Sequence, residues 1–323
     1  MSISNILELL TGVALFLFGM TLMGEGLKQV AGNKLELILY KLTGKPVKGL
    51  LFGAGVTTVI QSSSATSVMV VGFVNSGIMK VRQAIPIVLG AIFGTSITGW
   101  IICLSGIDAG SGWLILFSSG TFTCFTALIG ICFRMFSKNR FKNHLGNVLL
   151  GFAVLMSGMS VMSGAVAPLQ ENEVFTGIIT EFSNPLFGII VGTFFTSVLQ
   201  SASAAVGILQ ALAMTGTVRF DMALPLIMGI AIGAGVPVLL SAVGATTNGK
   251  RTALVYLTSN MIGVICSATV FYGLNAVLKF DFINQTMTMT TIAALNSIYR
   301  FLVVAALFPL SRHVECVILI PRV

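Results

Sequence analysis

The chain has 323 residues, 55% hydrophobic and only 9% charged, a balance that leaves too little polar surface to wrap a soluble core of this size. The net charge of +8 is not gathered into a nucleic-acid patch. Basic residues crowd into Lys28–Lys48, Lys80–Arg82, Arg134–Lys142 and Lys250–Arg251, with Arg312 and Arg322 near the end, while Asp108, Glu171, Glu173, Glu181 and Asp281 mark the other connections, a positive-inside pattern.

The apolar residues come in runs of roughly 20, the length that crosses a ~30 Å hydrocarbon layer as helix, and not in the short alternating segments of a membrane barrel. An all-α integral membrane protein is expected, with full crossings at 5–27, 84–105, 113–136, 145–166, 222–243, 252–277 and 288–310. No basic n-region or A-x-A cleavage site precedes the first apolar run, so it is expected to remain a span. Two apolar stretches, 46–79 and 185–216, are too short for two spans and a turn, and each is most polar near its middle, at QSSS and QSAS. Each reads as a re-entrant hairpin of two half-length helices. Charge agrees for the first, with Lys45 and Lys48 before it and Lys80 and Arg82 after it on one side. The second follows Glu171, Glu173 and Glu181 and ends at Arg219 and Asp221, compatible with entry from outside.

Adding 139 to a position in the first part lands on the same residue type in the second: Gly12 on Gly151, Gly19 on Gly158, Pro46 on Pro185, Gly53 on Gly192, Gln61 on Gln200, Ser62 on Ser201, Ser64 on Ser203, Gly77 on Gly216, Pro86 on Pro225, Gly90 on Gly229 and Gly94 on Gly233. Gln and Pro are scarce in spans, so their joint match signals a duplication. The expected organisation is a first repeat over 1–138, a second over 139–245, and remaining spans with a short tail over 246–323. An odd number of crossings separates the copies, so they are inverted, the recurring plan of secondary transporters.

No ionisable side chain lies between Gly53 and Gly77 or between Gly192 and Gly216, which disfavours acid–base catalysis and a fixed charge at the tips. The tips offer instead Gln amides, hydroxyls and the exposed backbone of a broken helix. N–H groups opening the second half-helix favour an oxyanion, and carbonyls closing the first, with Gln and Ser oxygens, suit a small hard cation. Thr95, Ser96 and Thr98 are further candidates for cavity contacts, whereas Gly90-x3-Gly94 and Gly229-x3-Gly233 read as close-packing surfaces. The five cysteines, at 103, 124, 132, 266 and 316, show no CxxC pair and read as apolar packing residues. His144 reads as a solvated residue of the basic connection, and Glu8, Glu25 and Arg300 as groups at or inside span ends that snorkel or pair. No enzyme constellation, cofactor motif or channel filter stands out.

The motifs GAGVTTVIQSSSATSVMVVGFVNSGIM at 53–79, GTFFTSVLQSASAAVGILQALAMTG at 192–216 and GAIFGTSIT at 90–98 resemble the type II sodium/phosphate cotransporter family, over roughly 5–245. The resemblance implies sodium-coupled movement of inorganic phosphate across the cytoplasmic membrane, with Na+ as coupling ion and no other cofactor. It implies substrate and sodium sites at Gln61, Ser62, Ser63, Ser64 and Thr66 of the first tip and Gln200, Ser201 and Ser203 of the second, with Na+ among Gln61, Ser64, Gln200 and Ser203. The chain departs from the family at Ala202, where a serine is usual, and at Ile92 and Ala231, where the family resembles GANIGT. It stops at Val323 without the PhoU-like domain of many bacterial relatives, so a transport-only or truncated member, served by a separate PhoU-like regulator, is implied. The competing readings are a membrane sensor of a phosphate-signalling system that binds without transporting, and a carrier of another small oxyanion.

Overall fold

The computed structural model describes residues 3–31, 46–104, 119–166 and 182–310. In a hydrocarbon layer a backbone must satisfy its own N–H and C=O groups, and apolar runs of this length do so as helices. The described residues form α1 (Ile3–Ala31), α2 (Pro46–Ile60), α3 (Ser63–Asn75), α4 (Val81–Cys103), α5 (Ser119–Phe136), α6 (Arg140–Val166), α7 (Pro185–Leu199), α8 (Ala202–Ala213), α9 (Phe220–Gly233), α10 (Gly235–Ser241), α11 (Thr247–Leu278) and α12 (Met289–Leu307). Extended pairing among them is limited to one isolated bridge, Arg219 with Thr286. Six segments are long and apolar enough to span a membrane: 4–30, 81–103, 140–165, 220–241, 247–278 and 289–307. The expected crossing at 113–136 lies partly outside the described residues; its described part is α5. The expected crossing at 222–243 is interrupted at Ala234, which divides it into α9 and α10.

Glycine faces set the helix contacts. On α1, Gly12, Gly19 and Gly26 press against Met162, Leu155 and Val148 of α6, so the two helices run antiparallel. A Cβ on Gly12 would lie 2.9 Å from the Gly158 carbonyl, and one on Gly158 would lie 2.8 Å from the Gly12 carbonyl. Gly19 and Gly151 meet in the same reciprocal way. Since Gly151 and Gly158 are the repeat counterparts of Gly12 and Gly19, the contact is self-complementary, as a local two-fold axis demands.

The other glycines create parallel pairs. Gly49 lies against Pro86, Gly53 against Ile87, Gly90 against Leu50 and Gly94 against Ala54, so α2 and α4 run side by side in the same direction. Their counterparts repeat this residue for residue: Gly188 against Pro225, Gly192 against Leu226, Gly229 against Ile189 and Gly233 against Thr193 join α7 to α9. The two Gly-x3-Gly pairs are thus the close-packing surfaces anticipated. With α2 parallel to α4, the intervening α3 has to carry the chain back to the end where α2 began, and α8 does the same between α7 and α9. Each return ends in a left-handed glycine, Gly77 at φ 78° and Gly216 at φ 72°.

Val70, Val71, Ile85, Val88, Leu89, Val206, Leu209, Ile227, Met228 and Tyr256 form the main core between the two broken helices, α4, α9 and α11. A second core, around Phe16, Leu155 and Met159, holds α1 to α6. Leu10, Phe18, Leu51, Ile190, Phe194, Val198, Ile265, Val277 and Phe301 face outward, an apolar exterior that suits lipid. Cys103 is buried as a packing residue, but Cys124, Cys132 and Cys266 are exposed, because they fall on this outer face; Cys316 lies outside the described residues. His144 belongs to the first turns of α6 and is half-buried, not a fully solvated loop residue, because α6 begins at Arg140 and carries it beneath Gly26.

Replacing Gly19 by valine should lower the thermal unfolding midpoint in detergent, with a penalty of about 1–3 kcal/mol or more from overpacking against the α6 backbone. Gly164→Ala on α6, where a Cβ meets no atom within 4 Å, should leave it unchanged or slightly raised.

Candidate functional site

Both broken helices stop at a glutamine in the left-handed region, Gln61 at φ 59° and Gln200 at φ 55°. Glycine would end a helix there without strain, whereas a side chain costs about 1–2 kcal/mol. Strain accepted twice at equivalent positions points to a use for the amide. The next residue caps the following half-helix: Ser62 Oγ accepts the Ala65 N–H at 3.1 Å and Ser201 Oγ accepts the Ala204 N–H at 3.3 Å. The serines therefore satisfy part of the N-terminal N–H cluster expected to face an oxyanion.

The two tips meet. Ser203 Oγ donates to the Gln61 carbonyl at 3.0 Å, across 142 residues of sequence. Ser64 Oγ donates at 2.9 Å to the Ala234 carbonyl, at the interruption between α9 and α10. Ser63 Oγ pairs with Tyr256 Oη of α11 at 3.0 Å, and Thr66 Oγ1 donates to the Ser62 carbonyl at 3.0 Å while accepting from Thr57 Oγ1 at 3.0 Å. Gln61 is only 4% exposed; its Nε2 donates to the Thr58 carbonyl, and its buried Oε1 has no donor among the described residues. Such an acceptor, beside the carbonyls that end α2, is complementary to a small cation.

The second tip is not an equal copy. Gln200 is exposed, and Ser201 and Ser203 pair with each other at 3.3 Å. Positions matching Ser63, Thr66 and Ser67 are Ala202, Ala205 and Val206, all buried in the main core. Thr196, the counterpart of Thr57, consequently has no hydroxyl opposite it, and its Oγ1 is unpartnered among the described residues. On α4, Thr95 and Ser96 return their hydroxyls to their own helix, at Ala91 O (3.3 Å) and Phe93 O (2.7 Å). Thr98 Oγ1 is buried without a partner among the described residues.

Arg300 contradicts its sequence reading. It sits in the middle of α12, 0% exposed, and neither snorkels nor meets a carboxylate among the described residues. Packing of α12 against α4 closes over it, and Nε donates to Asn296 Oδ1 at 2.9 Å while Nη1 donates to the Ile92 carbonyl at 3.3 Å. Tyr256, the partner of Ser63, and Tyr299 lie within electrostatic reach of the guanidinium. The two broken helices carry no ionisable side chain near their breaks, but α12 beside them carries one. Its position near the centre of an apolar run, with Asn296 four residues earlier on the same face, was a signal available in the sequence. Tyr256 and Asn260, whose Nδ2 donates to the Tyr256 carbonyl at 2.9 Å, carried no such signal.

A double-mutant cycle of Ser63→Ala and Tyr256→Phe, read as thermal or denaturant unfolding in detergent, should give a coupling of about 1 kcal/mol, the net value of one buried hydrogen bond.

A sequence profile described as Na+/Pi-cotransporter matches residues 15–164 and again 158–293, one match for each broken helix. The uncharacterized protein YqeW of Bacillus subtilis is 27% identical over 253 residues, 78% of each chain. The putative inorganic phosphate export protein YjbB of Escherichia coli is 28% identical over 260 residues, 80% of this chain but 46% of that one. The sodium-dependent phosphate transport protein 2A of Ovis aries is 42% identical over 79 residues, 24% of this chain and 12% of that one. No solved structure matches the chain. With a membrane-length helical fold, two equivalent broken helices and a family match across most of its length, the chain belongs to the Na+/Pi-cotransporter family.

Proposed function

We propose that the chain is a sodium-coupled secondary carrier of inorganic phosphate in the cell membrane, binding its ions between the tips of two re-entrant hairpins. The observation that carries this reading is the contact of two equivalent helix breaks, Ser203 Oγ on the Gln61 carbonyl, beside a buried glutamine oxygen that lacks a donor among the described residues. The lengths of α2 and α3, 15 and 13 residues, support partial-depth entry, since at 1.5 Å per residue each covers about 20 Å, roughly two-thirds of a ~30 Å layer. On this reading the repeats are 1–138 and 139–245, and 246–323 supplies the flanking scaffold.

The named roles follow the chemistry of each atom. Gln61 Oε1, with the oxygens of Ser64, Gln200 and Ser203, forms the cation region. Ser62, Ser63, Thr66 and Ser201, with Thr95, Ser96 and Thr98 on the wall, supply hydroxyls and half-helix N–H groups to the anion. Sodium is needed for an energetic reason: moving a divalent anion into a cell 100 mV negative inside costs about 4.6 kcal/mol, two charges at ~2.3 each. Cations travelling with the anion cancel that opposition. The named relatives include a sodium-dependent phosphate transport protein and a putative phosphate exporter, and a carrier runs in whichever direction its summed gradients dictate.

In proteoliposomes, inward sodium should raise phosphate uptake about tenfold or more over equimolar potassium. Gln61→Gly and Gln200→Gly, which relieve the left-handed strain, should abolish uptake while leaving unfolding within about 1 kcal/mol of the parent. Uptake indifferent to sodium, or intact in both variants, would sink the reading.

A further inference from the structure

Arg300 poses a question of charge balance. A guanidinium is always protonated and offers only donors. Here two of its N–H groups meet neutral acceptors, Asn296 Oδ1 and the Ile92 carbonyl, while Nη2 has no partner among the described residues. The described acidic residues are Glu8, Glu25, Asp221 and Asp281, and the ion pair they make is that of Asp221 with Arg219, at 2.7 Å. Neutral acceptors satisfy geometry but not charge, and an uncompensated buried cation is costly to keep.

Asn296 Nδ2, on the side chain that accepts from Arg300 Nε, is likewise a buried donor without an acceptor among the described residues. A cluster with surplus donors and one surplus positive charge is complementary to a group that has acceptors only and carries negative charge. At Gln61 the surplus is of the opposite kind, an acceptor. Arg300 is connected to the surroundings of the first tip through Ile92, one turn before Thr95 and Ser96 on α4, which packs against α3, and α11, which packs against both α3 and α12, carries the Tyr256 that bonds Ser63.

We propose that Arg300 and Asn296 form an anion clamp, in which the Arg300 guanidinium supplies the fixed positive charge that receives a tetrahedral oxyanion beside the first hairpin tip. The clamp deepens the carrier reading and rests on it for the path by which the anion arrives. It separates the two ions within the site, the anion toward α12 and the cation toward Gln61. It also means that one of the anion's charges is met by the protein, so fewer coupling cations are needed for neutrality than a site made of dipoles alone would require. Residue 300 lies beyond residue 293, where the second family match ends, and outside both repeats, so the clamp makes one anion position and not two.

The test reads anion binding independently of transport. The purified full chain, in detergent at fixed sodium, is unfolded thermally across a concentration series of inorganic phosphate and of sulfate. Wild type should be stabilised by at least one of the two. Arg300→Gln should need about tenfold or more anion for the same shift, and Arg300→Lys should retain part of it. Asn296→Asp guards against a variant that merely fails to fold: it places a carboxylate on the guanidinium, so the anion-free protein should be at least as stable as wild type yet show little oxyanion shift. A purely structural role for Arg300 would give the same gain in stability with the shift intact, and that result overturns the clamp, as does a wild type that neither anion stabilises. Stabilisation by sulfate but not phosphate would keep the clamp and remove phosphate as the substrate. A normal shift in Asn296→Asp together with loss of uptake in Gln61→Gly would keep the carrier and remove the clamp.

Discussion

The constraint on which this architecture depends is that a helix broken inside an apolar layer must find protein partners for its freed backbone groups. Three interruptions are present among the described residues, at Gln61, Gln200 and Ala234, and they are closed largely by one another. Ser203 covers the Gln61 carbonyl and Ser64 covers the Ala234 carbonyl, while Ser62 and Ser201 cap the half-helices that follow. The serines thus serve the fold with the same oxygens that the proposed carrier reading assigns to the ions, so on that reading binding and closure compete for one set of groups.

The tips can converge because small residues let whole helices approach. Gly53, Gly90 and Gly94 bring α2 onto α4, and Gly192, Gly229 and Gly233 bring α7 onto α9, at separations where a Cβ would enter the opposing backbone. These contacts bring backbone against backbone along several turns. The contacts between the tips are single hydrogen bonds, each with a net value of about 1 kcal/mol. The stiff units are therefore the helix pairs α2–α4, α7–α9 and α1–α6, and the hydrogen bonds between the tips are the weaker contacts.

Duplication supplied the symmetry, and divergence removed some of it. The first tip keeps hydroxyls at Ser63, Thr66 and Ser67, whereas Ala202, Ala205 and Val206 make the equivalent half-helix a core element. The loss is visible at Thr196, whose hydroxyl no longer has the threonine that Thr57 finds in Thr66. Polar chemistry is concentrated on the first tip and on α11 and α12 beside it, where Tyr256, Asn260, Asn296 and Arg300 are buried together.

What the amino-acid order settles by itself is everything governed by short-range rules. Apolar runs of membrane length specify helices, QSSS and QSAS in the middle of such runs specify breaks, and Gln and Pro recurring at an offset of 139 specify the repeat. Span ends were legible to within a few residues, because hydropathy changes gradually there. The recurrence of Gly12 and Gly19 as Gly151 and Gly158 marked the repeat, but that these glycines meet across α1 and α6 came from the packing. Pairings over long separations were not legible: nothing local tells Ser203 that its acceptor is Gln61, or Ser63 that its partner is Tyr256, since each depends on how four or five helices pack at once. Arg300 shows the difference most plainly. Taken alone, an arginine in a span is cheapest at its end, where it reaches water, and only the closure of α4, α11 and α12 around it decided that this one is held dry in the interior.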